Sequence, residues 1–453
     1  MWSKLSSPSP HERQSLQQGN EHDQAVKSTA DDAILAKSSC VEKGYYEDPF
    51  VRAMAQGASG LVTKKSSAAN SRQSRHSFHN DSSSTTEPII RKGTHARVKA
   101  VDRAIDAFLS LPLSSASKDT KDTKEQTVCR QVVVLGAGRD TTYLRYRFGK
   151  DAILLDDNDN VRWYEVDHPS IIQQKAQSWL PSCIPDGYDY SCDMNEDGGG
   201  NSHVVTIAAA QKGEKNDERS SISNYHLIGH DLRSSPASLF ETLTHPKHGY
   251  DRSMPTLFVL ECVMMYLPNE ASSDLLRHLA ESSLPCSKSS YDPFVAVVIY
   301  DPIPSNDRFG QLMIENLQRA GITSRKGQRS VDDDDATSQL SLEKTRTLSD
   351  QLTKLAQSGF DVAVGCDMMN AYDHGAISMD DRRRAARCEM LDELEEFNLL
   401  MKHYCLVVGV SSKGERSDGN GASENRSVGF RLCSVGEGSL MGFQEGHCTV
   451  VNR

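Results

Sequence analysis

The chain is expected to fold as an α/β domain on a doubly wound, mostly parallel sheet, and three observations predict this. Short continuous apolar runs, Val132–Leu135, Thr256–Glu261 and Phe294–Tyr300, read as strands buried on both faces, since they lack the polar alternation of a half-exposed strand. Helical patterns separate them, and alternating strands and helices place helices on both sides of a parallel sheet. The stretch VVVLGAGRDTTYL, Val132–Leu144, passes from a strand through Gly136 and Gly138 into a helix start. Such turns lie at the carboxyl ends of the strands, where sheets of this kind bind ligands.

Taken in order, residues 1–30 are polar and are expected to be a disordered tail, followed by an ordered segment from DDAILAK to FVRAM. A Ser/Asn/Lys-rich insertion spans 56–86. THARVKAVDRAIDAFLSL then carries Val98, Val101, Ile105, Phe108 and Leu109 at helical spacing. After a charged linker come strand Val132–Leu135, strand Arg162–Val166 and a helix opening at Pro169, whose ring suits a first turn. A long polar insertion occupies 190–222. Strand Tyr225–Ile228, strand Thr256–Glu261, helix Glu270–Glu281, strand Phe294–Tyr300 and the helix RFGQLMIENLQRA follow. A third insertion lies near 325–340. The last third reads as a helix over Leu348–Gly359, a strand near Val362, a charged helix Asp381–Met401 and the strand YCLVVGV. Residues 412–453 read as a polar tail in which GFRLCSV adds one edge strand.

Composition narrows the function. Only 37% of the 453 residues are apolar and mean hydropathy is −0.54, so one domain of roughly 300 residues carrying polar insertions is expected. The net charge of −11 argues against a nucleic-acid-binding face. The 11 cysteines show no C-x-x-C pair and read as reduced thiols of an intracellular protein. The N-terminus lacks the apolar core of a signal peptide, and TLFVLECVMMYL is too short to span a bilayer. A cytoplasmic protein, with the nucleus as the alternative, is therefore expected, without a membrane partner and as a monomer.

Four positions point to a ligand. Glycines at 136 and 138 permit positive φ and remove a Cβ from the ligand's path, while Asp140 or Thr141 caps the next helix. Thr141 stands where a G-x-G-x-x-G motif would place its third glycine, so a dinucleotide is disfavoured. Asp167 ends the second strand, where a carboxylate can accept from both hydroxyls of a ribose; capping the helix at Pro169 is its structural alternative. Asp231 and Leu232 in GHDLR stand where an acid meets an adenine amino group and a neighbour packs its ring. Glu261, at the mouth of the fourth strand beside an apolar run, needs a cationic partner, which an amino-acid ammonium would supply. Together these favour S-adenosylmethionine (SAM) over a nicotinamide cofactor.

The ordered set LGAGRDTTYLR, YEVDHPSIIQQKA, DLR, TLFVLECVMMYLPNEAS, DRFGQLMIENLQRAG, CDMMNAYD and LDELEEFNLLMKHYCL resembles the leucine carboxyl methyltransferases. Together with DDAILAK, GYYEDPF and THARV, the similarity runs from Asp31 to about Val410, minus the insertions. The resemblance implies a class I SAM-dependent methyltransferase with a seven-stranded sheet and added helices forming a substrate lid. It implies methylation of the C-terminal leucine α-carboxylate of the protein phosphatase 2A catalytic subunit. By motif, SAM would be held by Lys37, Arg97, Gly136, Asp167, Asp231, Leu232 and Glu261, with Arg97 and Tyr266 facing the reacting carboxylate. A C-terminal carboxylate, with a pKa of about 3.5, is already an anion at neutral pH, so alignment and water exclusion suffice without a general base.

Each residue also has a plainer reading. Arg97 on an amphipathic helix is ordinarily a solvated charge, and Tyr266 a core tyrosine with its hydroxyl at the rim. The H-x-x-H pairs HSFH and HPKH lack a third ligand and read as surface residues, and Asp332–Asp335 as a solvated run, so no metal site is expected. A small-molecule O-methyltransferase and an inactive phosphatase-binding module are the competing functions. A tRNA-modifying relative is disfavoured, since such relatives carry a β-propeller after this domain and only about 40 residues follow YCLVVGV.

Overall fold

A computed structural model of the chain describes residues 10–58, 86–111, 129–150, 161–194, 202–209, 224–284, 293–320, 322, 339–412 and 449–452. Helix α1 (Pro10–Glu42) and helix α2 (Pro88–Leu109) precede the first strand, β1 (Arg130–Leu135). Then follow α3 (Thr142–Phe148), β2 (Val161–Asp167), α4 (Pro169–Gln174), β3 (Tyr188–Met194), β4 (His203–Ala209) and β5 (Tyr225–Gly229). Next come α5 (Pro236–Leu243), β6 (Thr256–Glu261), α6 (Asn269–Ala280), β7 (Phe294–Pro302) and α7 (Arg308–Arg319). The chain continues with α8 (Leu348–Gln357), β8 (Val362–Asp367), α9 (Met379–Cys388), α10 (Leu394–Lys402), β9 (Tyr404–Ser412) and β10 (Thr449–Asn452).

The ten strands of the described residues form one sheet, in the order β10-β8-β9-β7-β6-β1-β2-β5-β4-β3. β5, β2, β1, β6 and β7 are parallel, and β9 inserts antiparallel between β7 and β8. These seven are the expected class I methyltransferase core. β3, β4 and β10 extend it at the two edges. Alternation along the strands sorts two apolar layers. Val132, Val134 and Trp163 face Ala100, Ala104, Ile105 and Phe108 of α2. Val133, Leu135, Tyr164 and Val166 face Leu239 and Phe240 of α5 and Leu275, Leu276 and Leu279 of α6.

The structure departs from the sequence expectations in several places. The stretch 1–30 is helical from Pro10, because α1 is anchored by its second half, where Ile34 and Cys40 are buried. Once that half is fixed, extending the helix through Gln, Glu and His costs little. The polar segment 190–222 contributes β3 and β4 as an antiparallel hairpin beside β5, since Val205 is buried and Tyr190 and Ile207 pack on the main core. The rest of that insertion, most of 56–86 and 325–340, and GFRLCSV lie outside the described residues, as do the HSFH pair and Asp332–Asp335. The edge strand described is β10, antiparallel to β8. The single charged helix Asp381–Met401 is two helices, broken where Glu389 is extended at φ −164°. Its carboxylate accepts from Arg91 Nε at 2.6 Å, Arg91 Nη2 at 2.5 Å and the Tyr45 hydroxyl at 2.7 Å. That buried clasp outweighs helix continuity. His248 of the HPKH pair is buried, stacked edge-on against His226.

Beneath the glycine turn, Lys175 and Glu165 form an ion pair with both side chains fully buried. Lys175 Nζ lies 2.5 Å from Glu165 Oε2 and donates to the Asp140 carbonyl at 2.9 Å. Removing one partner leaves a buried charge without compensation. Lys175→Ala is therefore expected to lower unfolding free energy in urea by roughly 3–5 kcal/mol, and Lys175→Met with Glu165→Gln to recover most of it. An unchanged midpoint for Lys175→Ala would refute the pairing.

Candidate active site

A cavity of about 510 Å³ opens at the carboxyl edge of the parallel strands, a size suited to a small-molecule ligand. Its floor is the glycine turn after β1, the ends of β2 and β6 and the turn after β5; α1 and α2 form its roof. Lys37, Arg97, Gly136, Asp167, Asp231, Leu232, Glu261 and Tyr266 all line it. The structure thus brings these eight residues together from far apart in the chain.

At the centre is a chain of alternating charge. Lys37 Nζ lies 3.2 Å from Asp140 Oδ1 and 3.5 Å from Glu261 Oε2, and Arg97 donates from Nε to Glu261 Oε1. Burial pulls the Lys37 ammonium down, but Glu261 and Asp140 outweigh it and its pKa ends above the ordinary lysine value. Burial likewise raises the Glu261 carboxyl, and Arg97 and Lys37 reverse this, leaving it below the usual carboxylate range. The Arg97 guanidinium also sits 5.5 Å from the Tyr300 ring centroid, a cation–π distance, and Tyr300 stacks on Tyr404.

The glycine turn has a packing rationale beside the one the sequence suggested. Gly136 and Gly138 both adopt positive φ, +71° and +47°. A Cβ on Gly136 would meet Val263 Cγ2 at 2.5 Å, and one on Gly138 would meet Ala30 Cβ of α1 at 3.2 Å. The bare backbone admits the protein's own roof and the turn after β6 as much as a ligand. Asp31–Arg139 at 2.8 Å pins α1 to this turn. Asp140, not Thr141, supplies the capping oxygens, accepting from Thr142 N at 3.2 Å and Thr142 Oγ1 at 3.0 Å.

Asp167 does not cap α4. His168 does, its Nδ1 accepting from Ser170 N at 3.2 Å. Asp167 Oδ2 instead accepts the Gly138 N–H and Oδ1 the His168 N–H, each at 2.6 Å. Each carboxylate oxygen retains a further lone pair toward the cavity, the acceptor capacity a diol requires. Burial raises the Asp231 carboxyl, but Arg233, whose Nη2 lies 2.6 Å away, outweighs it and leaves it below the usual carboxylate range. Tyr266 closes the far side, its hydroxyl directed at Thr29 of α1 and its pKa pushed up by burial.

Sequence reasoning passed over Tyr300 and Tyr404, and treated Asp140 only as a cap. Tyr300 pairs with Glu261 at the end of the parallel β6–β7 register, two residues before β7 itself ends. Tyr404 begins β9, whose antiparallel direction brings its first residue to the same edge, opposite Pro302. Among the described residues, no cluster of three or more His, Cys, Asp or Glu could hold a metal ion, and no helix is long and apolar enough to cross a membrane.

The fold and its charged cavity define a class I methyltransferase. Residues 25–280 match the family model for leucine carboxyl methyltransferase, and the chain belongs to that family. It is 28% identical over 394 residues to leucine carboxyl methyltransferase 1 of Bos taurus, covering 85% of this chain and 89% of the relative. It is 25% identical over 407 residues to leucine carboxyl methyltransferase 1 of Aspergillus fumigatus, covering 86% and 83%. Among solved structures, a SAM-dependent methyltransferase from Archaeoglobus fulgidus is 13% identical with a TM-score of 0.29, covering 70% of this chain and 93% of that one.

Because the Glu261 carboxyl is depressed, the native state binds fewer protons there than the unfolded chain. Its contribution to stability is present above the unfolded value, about 4.3, and is lost as pH falls through the native one. Urea midpoints between pH 3 and 6 should fall more steeply toward acid in the wild type than in Glu261→Gln. Parallel curves would remove Glu261 from the charge chain.

Proposed function

We propose that the protein transfers a methyl group from SAM to the α-carboxylate of the C-terminal leucine of the protein phosphatase 2A catalytic subunit, giving a methyl ester. The observation that carries this is the alternating Asp140–Lys37–Glu261–Arg97 chain on the floor of one cavity. An α-amino acid brings one ammonium and one carboxylate, and a floor of alternating sign meets both without leaving a buried charge unpaired. The donor set therefore fits the methionine half of SAM, with Asp167 placed for a ribose and Asp231 and Leu232 for an adenine.

Bound there, SAM supplies an electrophilic methyl carbon on its sulfonium, which a carboxylate oxygen can attack directly. The acceptor reaches the site already ionised, so no residue has to remove a proton. Lys37 offers a point charge to the cofactor carboxylate. Arg97 offers the planar fork that orients the acceptor carboxylate, a geometry lysine cannot reproduce. Glu261 takes the cofactor ammonium while keeping Arg97 aligned through Nε. Tyr266 and Tyr404 wall the acceptor side and exclude water. Rate enhancement on this scheme comes from proximity, orientation and a dry, preorganised field.

Incubation with methyl-labelled SAM and the phosphatase catalytic subunit, with and without its terminal leucine, tests the proposal. Base-labile label that requires the leucine is expected. SAM binding without label would send the search to another acceptor or to a binding role, and no SAM binding would overturn the reading. Arg97→Ala should reduce kcat/KM by roughly 10²–10³-fold, as for loss of a preorganised donor, with circular dichroism unchanged. Asp167→Ala should weaken SAM binding by about 10–100-fold in calorimetry, the worth of hydrogen bonds to a charged group.

A further inference from the structure

The turn that carries Tyr266 is held from behind by a buried lysine that the catalytic scheme does not use. Lys354, on α8, is 8% exposed, far below the usual exposure of a lysine. Its Nζ has three acceptors: Ser272 Oγ at 2.5 Å, Ser341 Oγ at 2.8 Å and Asn269 Oδ1 at 3.1 Å. Three acceptors match the three protons of an ammonium. Asn269 and Ser272 open α6, which begins three residues after Tyr266. Ser341 reaches the same turn through its backbone, donating to Leu267 O at 2.8 Å, while Asn269 N donates to Gln339 O at 2.8 Å.

The acid that acts on this lysine is Asp301, one residue beyond Tyr300 on β7 and fully buried. Its carboxyl oxygens make no close hydrogen bond. Burial pushes the carboxyl well up, opposed by the Lys354 ammonium, the Met265 amide and, from the cavity side, Arg97. The segment Glu261–Leu267 lies between these two anchors. It also contains Cys262, non-glycine yet at φ +56°, whose amide donates to Tyr300 O at 2.7 Å. A strained residue between Glu261 and Tyr266 persists only where its surroundings over-determine it.

We propose that Lys354 is a positioning residue for methyl transfer, fixing the Tyr266 end of the turn after β6 from the layer that α6 and α8 share, through Ser272, Ser341 and Asn269. The inference rests on the proposed carboxyl methylation. Lys354 touches no substrate in this scheme; it sets where Tyr266 stands, and displacement of about 1 Å at such a site can cost about 10²-fold in rate.

The test compares wild type with Lys354→Met, using methyl-labelled SAM and the phosphatase catalytic subunit ending in leucine. The expected result is a kcat lowered about tenfold or more, with the stoichiometry of SAM binding unchanged and its Kd within about twofold. A purely structural role would lower kcat and SAM stoichiometry in the same proportion, and that outcome overturns the proposal, as does a wild-type kcat in the variant. If Lys354→Met does not fold, Ser341→Ala must show the same separation of kcat from SAM binding, and its absence overturns the proposal equally. A wild-type protein that binds SAM and methylates no leucine-ending acceptor overturns the carboxyl-methylation reading, and this inference with it. Transfer by wild type with no effect in either variant overturns this inference alone.

Discussion

The grip of Arg97 and Lys37 on Glu261 is the constraint around which the molecule is arranged. A carboxylate at the end of a central strand, beside Val263 and Met265, cannot stay charged without cations beside it. Neither cation comes from the sheet. Lys37 comes from α1 and Arg97 from α2, so the pairing fixes both N-terminal helices over the carboxyl edge. The remaining contacts serve the same closure. Asp31 holds Arg139, Asp140 holds Lys37, and the glycines at 136 and 138 let Val263 and Ala30 approach the turn.

The roof is in turn braced from outside. The Glu389 clasp on Arg91 and Tyr45 ties α2 and the segment after α1 to the break between α9 and α10. Arg145 pairs with Asp102 of α2 at 2.7 Å, joining the roof helix to the first helix after the glycine turn. Lys92 of α2 lies 4.9 Å from the Phe397 ring centroid on α10. Position along α2 thus has a division of labour: Arg91, Lys92 and Asp102 are structural anchors, while Arg97 faces the cavity.

Much of this was legible in the sequence. Strands β1, β6 and β7 announce themselves as apolar runs because both of their faces are covered, and the ends of β2 and β6 sit at the cavity. The placement of Asp167 and Glu261 at the cavity could therefore be read from position. What stayed hidden was tertiary. The helix from Pro10 is polar for most of its length and is held by a few buried residues near its end. The hairpin β3–β4 lies at an edge and its outer strand, YDYSCDM, is half polar, so propensity is weak there against packing. Glu389 reads as one more charge on a charged helix until Arg91, 298 positions away, is placed beside it. Tyr404 becomes a cavity residue only because β9 runs antiparallel, and no local pattern reports strand direction.

A floor of paired charges also bears on selectivity. An apolar floor would bind any flat ring of the right size, and one extra or missing methylene discriminates by only about 1–3 kcal/mol. A floor whose charges are already satisfied by each other behaves differently. A ligand that lacks an ammonium or a carboxylate strips water from Glu261 or Lys37 and offers no opposite charge in return, so that desolvation goes uncompensated. On the proposed reading, a zwitterion alone restores the alternation it interrupts. The same arithmetic explains why Asp140 belongs to the chain: without it, two cations would face one carboxylate, and the floor would carry an uncompensated buried charge.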